Sequence, residues 1–452
     1  MAPSLTSPVT FTLPQALAVL RESIISSAAD GWQRVEVALD PLDIKSFLET
    51  QDMHPLVYWQ DRSGLQETGG LGMAHEIRMA AQDFKECDAA LRPVLAAGAP
   101  GARYFGGSSF AQVCRGREWQ GFPAVWFILA RLEINRHGQR MSLAVNFFND
   151  GPGKEDRRAA LRALDGIRQD FVPAAAPSVT VARERDLPQR AAWADAVQRT
   201  LEAIGEGVIT KLVLARRTDL SLSAACHPLE ILRAYQKVTP GCYHFLFQPS
   251  AGEAFFGASF ERLFKRSGTR LWTEAVAGTR PRGASDAEDR VFAAELLNDP
   301  KERLEHHHVI DAIRESLLPL RQQSTVDELP VVEKFRDSQH LVSRFTCVLA
   351  ADTTDGNILE RLHPTPAVAG TPTPAALERI AAAEAFHRGW YAGPVGWIGR
   401  DEAEFAVAIR SGLVRGRELS VFAGAGIVAG SDPHREWAEV ELKISNILKA
   451  LS

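Results

Sequence analysis

Cysteine is scarce in this chain and never paired. Its five cysteines, Cys87, Cys114, Cys226, Cys242 and Cys347, are odd in number and scattered, with no CxxC spacing. That pattern excludes a thiolate zinc framework and argues for free thiols in a reducing compartment. A basic excess is missing too. Lysine plus arginine total 51 against 56 acidic residues, a net charge of -5, whereas a nucleic-acid binder carries a clustered basic surplus. The pair Arg280 and Arg282 is too short to supply one. Long hydrophobic runs are also absent, because charge or proline interrupts each of them, and nothing approaches the length of a membrane-spanning helix. The opening MAPSLTSPVTFTLPQALAVL lacks the basic flank and unbroken apolar stretch of a signal peptide. Together these absences predict a cytoplasmic protein with no nucleic-acid and no membrane partner.

What is present is the material for a large core. The chain has 452 residues, 45% hydrophobic and 24% charged, the composition of a soluble globular protein with room for one big domain or two ordinary ones. Residues 1 to 170 read as mixed strand and helix. Pro55–Trp59 followed by the turn Asp61–Gly64 predicts a strand and hairpin, and Val125–Ile134 predicts a second strand paired with Met141–Phe147 through a His137-Gly138 turn. The clearest linker is Val172–Ser178. Beyond it, Trp193, Val197, Leu201 and Ile204 recur at helical spacing up to Gly205. Strands are predicted at 208–214, 243–247, 254–257, 271–275, 392–398, 405–409 and 419–422. Two long helices, 300–319 and 433–451, each begin with aspartate then proline (Asp299-Pro300, Asp432-Pro433), an N-cap followed by proline at the first helical position.

Those two helices carry the most suggestive chemistry. Glu302 and Glu305 lie three apart on one, Glu436 and Glu439 three apart on the other, with Lys443 a turn further on. Four carboxylates meeting across a cleft would suit magnesium, a hard cation that prefers oxygen. First-turn glutamates also simply complement the helix dipole, so the pattern alone does not establish a metal site. Lys211 stands at the start of an apolar strand, and Glu261 follows the turn after Phe255-Phe256. A desolvated lysine can serve as a base and a glutamate in an apolar pocket as an acid, although a strand lysine is commonly an edge or solvent-facing residue. Gly424-Ala-Gly426-Ile-Val-Ala429 matches a dinucleotide fingerprint, but the chain runs into its last helix with no following strand, so no βαβ unit forms. Of the triplet His306-His307-His308, only His306 is a candidate to line a cleft.

Taken in order, KLVLARR, FFGASFERLF, TEAVAGTRPRG, KERLEHHHVI, LHPTPAVAG, WYAGPVGWIG, EFAVAIRSGL and VFAGAGIVAGSDPHREWAEVELK resemble the motifs of the chorismate-utilising enzymes across residues 188–448. The resemblance implies Lys211 as the water-activating lysine and Glu261 as the acid at the departing hydroxyl. It implies Glu305 and Glu439 as the principal magnesium ligands, with Glu302 and Glu436 as accessory acids reached through water. Gly278, Thr279, Tyr391, Arg410, Gly424, Gly426 and Lys443 match positions that hold the substrate's two carboxylates.

Branches of the family differ at particular residues. Enzymes that add ammonia generally lack the lysine, so Lys211 favours water as nucleophile. Salicylate synthases typically carry threonine within the histidine-proline motif, where this chain has Ala367, as isochorismate synthases do. Tyr58–Gly64 (YWQDRSG) with Leu71-Gly72 is similar to the menaquinone-pathway isochorismate synthases rather than the siderophore ones. Two departures stand out: Phe260 where proline often precedes the acid, and Gly399–Glu404 in place of a glycine-rich turn. The implied reaction is the magnesium-dependent conversion of chorismate to isochorismate, with salicylate synthase and the siderophore-pathway enzyme as alternatives and no glutamine amidotransferase subunit as partner. The implied fold is α+β, two packed antiparallel-rich sheets with helices outside. Residues 1–178 are expected as the N-terminal half of that fold with its linker, and 179–452 as the catalytic region.

Overall fold

The computed structural model describes residues 10–98, 100–149, 154–172, 179–336 and 338–451. These form eleven α-helices and twenty strands, and the ladder pairings between the strands are all antiparallel. The strands join in one hydrogen-bonded network that forks at Val125–His137. The first half of this strand pairs with Arg103–Ser108 and its second half with Arg140–Asn149, while Gln66–Met79 lies along its other edge.

One branch runs from Arg103–Ser108 through Pro394–Gly399, Glu402–Val407, Arg262–Ser267 and Arg270–Pro281 to Ser338–Leu349. The other runs from Gln66–Met79 through Leu56–Gln60, Tyr243–Ser250, Glu253–Ser259, Ser411–Arg415 and Glu418–Ile427 to Lys211–Leu222. The branches face each other across a core rich in aromatic rings. The ring of Trp126, on the fork strand, is centred 4.8 Å from that of Phe247 in the second branch, and Phe247, Phe255, Phe122 and Trp390 form a continuous edge-and-tilt cluster. These are the two packed layers expected of the fold, continuous through the fork.

The local signals read in sequence have their counterparts. Hairpins join Leu56–Gln60 to Gln66–Met79 and Val125–His137 to Arg140–Asn149. The helix Arg190–Gly205 buries Trp193 and Val197. Asp299 accepts the backbone N–H groups of Lys301 and Glu302 at the head of helix Pro300–Leu317, and Asp432 accepts those of His434 and Arg435 ahead of helix Pro433–Leu451. The strand expected from residue 208 begins at Lys211 instead, because the preceding helix ends in the turn closed by Gly207 at φ 72°. The linker expected at Val172–Ser178 lies, from residue 173 on, outside the described residues. Among the described residues no helix is long and apolar enough to cross a membrane.

Candidate active site

Two helices and two strands meet at one pocket. Helix Pro300–Leu317 packs on strand Arg270–Pro281, and helix Pro433–Leu451 packs on strand Glu418–Ile427, which is paired along its length with the Lys211 strand. Helical spacing puts Val440, Ile444, Ile447 and Leu451 into the core and leaves the Glu436–Glu439–Lys443 face toward the pocket. Glu302, Glu305, Glu436 and Glu439 all line it, together with Glu261, Gly278, Thr279, Ala367, Tyr391, Arg410, Gly424, Gly426 and Lys443. Lys211 lies just beneath, with its side chain 1% exposed and 2.9 Å from Glu305.

Each of the four helical glutamates has its own cation. Arg280 holds Glu302 at 2.8 Å, Lys211 holds Glu305 at 2.9 Å, Lys301 reaches across from the other helix to Glu436 at 3.2 Å, and Lys443 holds Glu439 at 2.8 Å. Among the described residues, no three acidic or histidine side chains stand close enough together to grip a metal ion as they are. Burial and the neighbouring Glu305 raise the carboxyl of Glu302, and burial and Glu439 raise that of Glu436. For Glu305, burial pushes upward, but Lys211 and the other lysines outweigh it and hold the carboxyl below its usual range. Four carboxylates lining one pocket offer an all-oxygen donor set of the kind that fits a hard divalent cation.

Glu261 faces the same space from the other wall. It is buried, and its carboxyl is pushed up to about 8, first by burial and then by the nearby Glu274 charge, with Lys211 and Lys443 pulling the other way. A glutamic acid that keeps its proton near neutrality is equipped to give it away. Lys211, at the start of its strand, and Glu261, in the turn between strands Glu253–Ser259 and Arg262–Ser267, therefore flank one pocket, the relation their sequence spacing could not supply.

The remaining wall is suited to anions. Arg410 has φ 50°, unusual for a side-chain-bearing residue, and its guanidinium lies 4.5 Å over the Phe260 ring. One of its N–H groups donates to Ser338 Oγ at 3.1 Å. Lys443 Nζ donates to the carbonyl of Gly424 at 2.8 Å. At Gly426 an added Cβ would come within 2.6 Å of Glu305 and 3.2 Å of Lys211, so only glycine leaves those two side chains room. The Thr279 N–H is occupied by Glu302 at 3.1 Å, which ties the strand irregularity at Gly278-Thr279 to the acidic helix. Burial raises the Tyr391 hydroxyl well above its usual value, and its ring stacks on Phe422.

Some residues the sequence did not single out also line the pocket. His340 is buried, stacks on Phe260 at 4.5 Å, and bridges Thr279 Oγ1 at 3.1 Å and Ser338 Oγ at 3.0 Å. Burial, Arg410 and Lys443 depress its basicity strongly. Only the pairing register, His340 opposite Thr279, places it there. Lys301 could have been found, since it sits four residues before Glu305 and therefore on the same helical face. His306 does not line the cleft. It is buried behind it, against Ser343 Oγ at 3.0 Å, because the face of the helix bearing residue 306 is turned to the sheet. The Gly399–Glu404 segment forms a hairpin between two strands, and Glu404 accepts the Tyr243 hydroxyl at 2.7 Å.

A family model described as chorismate binding enzyme matches residues 21–452. The isochorismate synthase MenF of Haemophilus influenzae is 31% identical over 440 residues, covering 96% of this chain and 96% of its own length. A solved structure of MenF, the menaquinone-specific isochorismate synthase from Escherichia coli, superposes with a TM-score of 0.88 at 30% identity, covering 97% of this chain and 100% of that one. Anthranilate synthase component I from Streptococcus pneumoniae superposes with a TM-score of 0.66 at 18% identity, a likeness of fold alone.

Proposed function

The chain belongs to the chorismate-binding enzyme family, and we propose that it converts chorismate to isochorismate in a magnesium-dependent reaction that serves menaquinone synthesis. The observation that carries this reading is a single pocket with a lysine and a proton-retaining glutamate on different walls, lined between them by carboxylates and basic groups. Whole-length similarity to enzymes named for this reaction supports it.

In the proposed reaction, Arg410, Lys443 and the glycine-bearing strand segments at Gly278-Thr279 and Gly424–Gly426 hold the substrate's carboxylates. Arginine suits this because its planar fork matches a carboxylate with two parallel hydrogen bonds. Lys211 takes a proton from water as the water oxygen bonds to C2 of the ring. Glu261 gives its proton to the hydroxyl on C4, which leaves as water while the ring double bonds shift. One water enters and one departs, so the isomerisation is balanced, and similar C–O bonds are made and broken, so it is reversible. Glu305 and Glu439, with Glu302 and Glu436 acting through water, would hold a magnesium ion that neutralises a substrate carboxylate. In the structure Glu305 is ion-paired with Lys211 at 2.9 Å, so the proposed base and the proposed metal site share a carboxylate. Ala367 presents only a methyl to the pocket.

The test is product analysis. Incubated with chorismate and magnesium, the purified protein is expected to accumulate isochorismate with little pyruvate and no dependence on glutamine or ammonia. Salicylate and pyruvate released in step with chorismate loss would make it a lyase, and an aminated product would place it in the ammonia-using branch.

A further inference from the structure

Arg62 belongs to the N-terminal hairpin, yet its guanidinium reaches the turn that carries Glu261. Its Nη1 donates to the carbonyl of Phe260 at 2.8 Å and to Glu274 Oε1 at 2.6 Å, and its Nη2 donates to Glu274 Oε2 at 3.0 Å. Glu274 Oε1 in turn accepts the backbone N–H of Arg262 at 3.1 Å. Phe260 and Arg262 are the residues on either side of Glu261. A single fork-to-fork ion pair therefore ties down both peptide units that flank it, and the Glu274 side chain is only 1% exposed.

We propose that Arg62 and Glu274 act as a positioning couple for Glu261, so that the N-terminal half of the chain takes part in the reaction through the geometry of the acid. The inference rests on the reading of Glu261 as proton donor. Neither residue lines the pocket, so neither is assigned contact with the substrate. The couple also supplies charge. Glu274 is the nearby anion that favours the protonated form of Glu261, while Lys211, from its strand, and Lys443, from the last helix, oppose it, and the Tyr391 hydroxyl stands in the same field.

Two full-length variants test this through the pH dependence of kcat and the separation of kcat from KM. Glu274→Gln keeps an oxygen for the hydrogen bonds but removes the charge. Its alkaline limb, expected near pH 8 in the wild type, should move to lower pH with KM for chorismate unchanged. Arg62→Met releases the turn, and kcat should fall by about tenfold to a hundredfold, the scale of loss from small misplacements of a reacting group, again with KM little altered. An unmoved limb in Glu274→Gln, or wild-type kcat in a folded Arg62→Met, overturns the proposal. If Arg62→Met does not fold, Glu274→Gln decides alone. A wild type with no alkaline limb, together with full turnover by Glu261→Gln, would instead overturn the assignment of the acid itself.

Discussion

At the scale of single residues, the proposed reaction divides proton handling from anion binding, and the two should be separable by substitution. Lys211→Ala is expected to lower kcat by about 10²- to 10⁴-fold, the usual contribution of a general base, while chorismate binding measured by calorimetry stays close to wild type, because Arg410 and Lys443 are untouched. In the proposed reaction Glu261 works in its protonated form, and its carboxyl is pushed up to about 8. The alkaline side of the profile should therefore show activity declining as pH rises through that value, which a kcat profile from pH 6 to 10 would check. Ala367 bears on the product. A threonine hydroxyl can hydrogen-bond in the pocket where a methyl cannot, so Ala367→Thr is expected to raise the share of salicylate and pyruvate in a chromatographic product assay. An unchanged product ratio would remove Ala367 from the determinants of outcome.

At the scale of elements, the two acidic helices are the units that matter. Within each helix one glutamate raises the carboxyl of the other, while Lys301 bridges the two helices through Glu436 and Lys211 ties one helix to the sheet through Glu305. Chelation with EDTA should abolish activity and added magnesium restore it. Glu305→Gln should raise the magnesium concentration needed for half-maximal rate and weaken magnesium binding measured by calorimetry. The sequence alone suggests a surface glutamate whose loss leaves the fold intact. The ion pair suggests an additional effect, because Lys211 is buried and loses its partner. Breaking a buried pair from one side costs about 3–5 kcal/mol, so the metal-free variant should melt at a lower temperature than the metal-free wild type. Equal melting temperatures would mean that the pair contributes little.

At the scale of the whole molecule, the N-terminal residues are woven into the same sheet as the site. Leu56–Gln60 lies between Gln66–Met79 and Tyr243–Ser250, and Arg103–Ser108 lies between Val125–His137 and Pro394–Gly399. We propose that 1–178 and 179–452 are halves of one cooperative unit. A chain beginning at residue 179 would expose the Tyr243–Ser250 and Pro394–Gly399 edges and the aromatic core, and is expected to be insoluble or to lack a cooperative melting transition. A soluble fragment with sharp thermal unfolding by circular dichroism would show an independent domain.

Local order was legible because it depends on neighbours in the chain. The Asp-Pro helix starts, the three-residue spacing of the glutamates, the helical spacing of Trp193 and Val197, and the hairpin turns are all short-range consequences of backbone sterics and helix period. The motifs around Lys211 and Glu261 were legible for another reason, since chemistry constrains residue type where a group must react. What the sequence could not determine was which charges would face each other. The pairing of Lys211 with Glu305, of Lys301 with Glu436 and of Arg62 with Glu274 joins residues 94, 135 and 212 positions apart. Such contacts depend on strand register and on how the sheet branches fold over the core, and a one-residue slip in register would turn every side chain to the opposite face. His340 beside Thr279 is a product of that register, and His306 turned to the sheet follows from how its helix packs on the sheet; only the tertiary structure decides either.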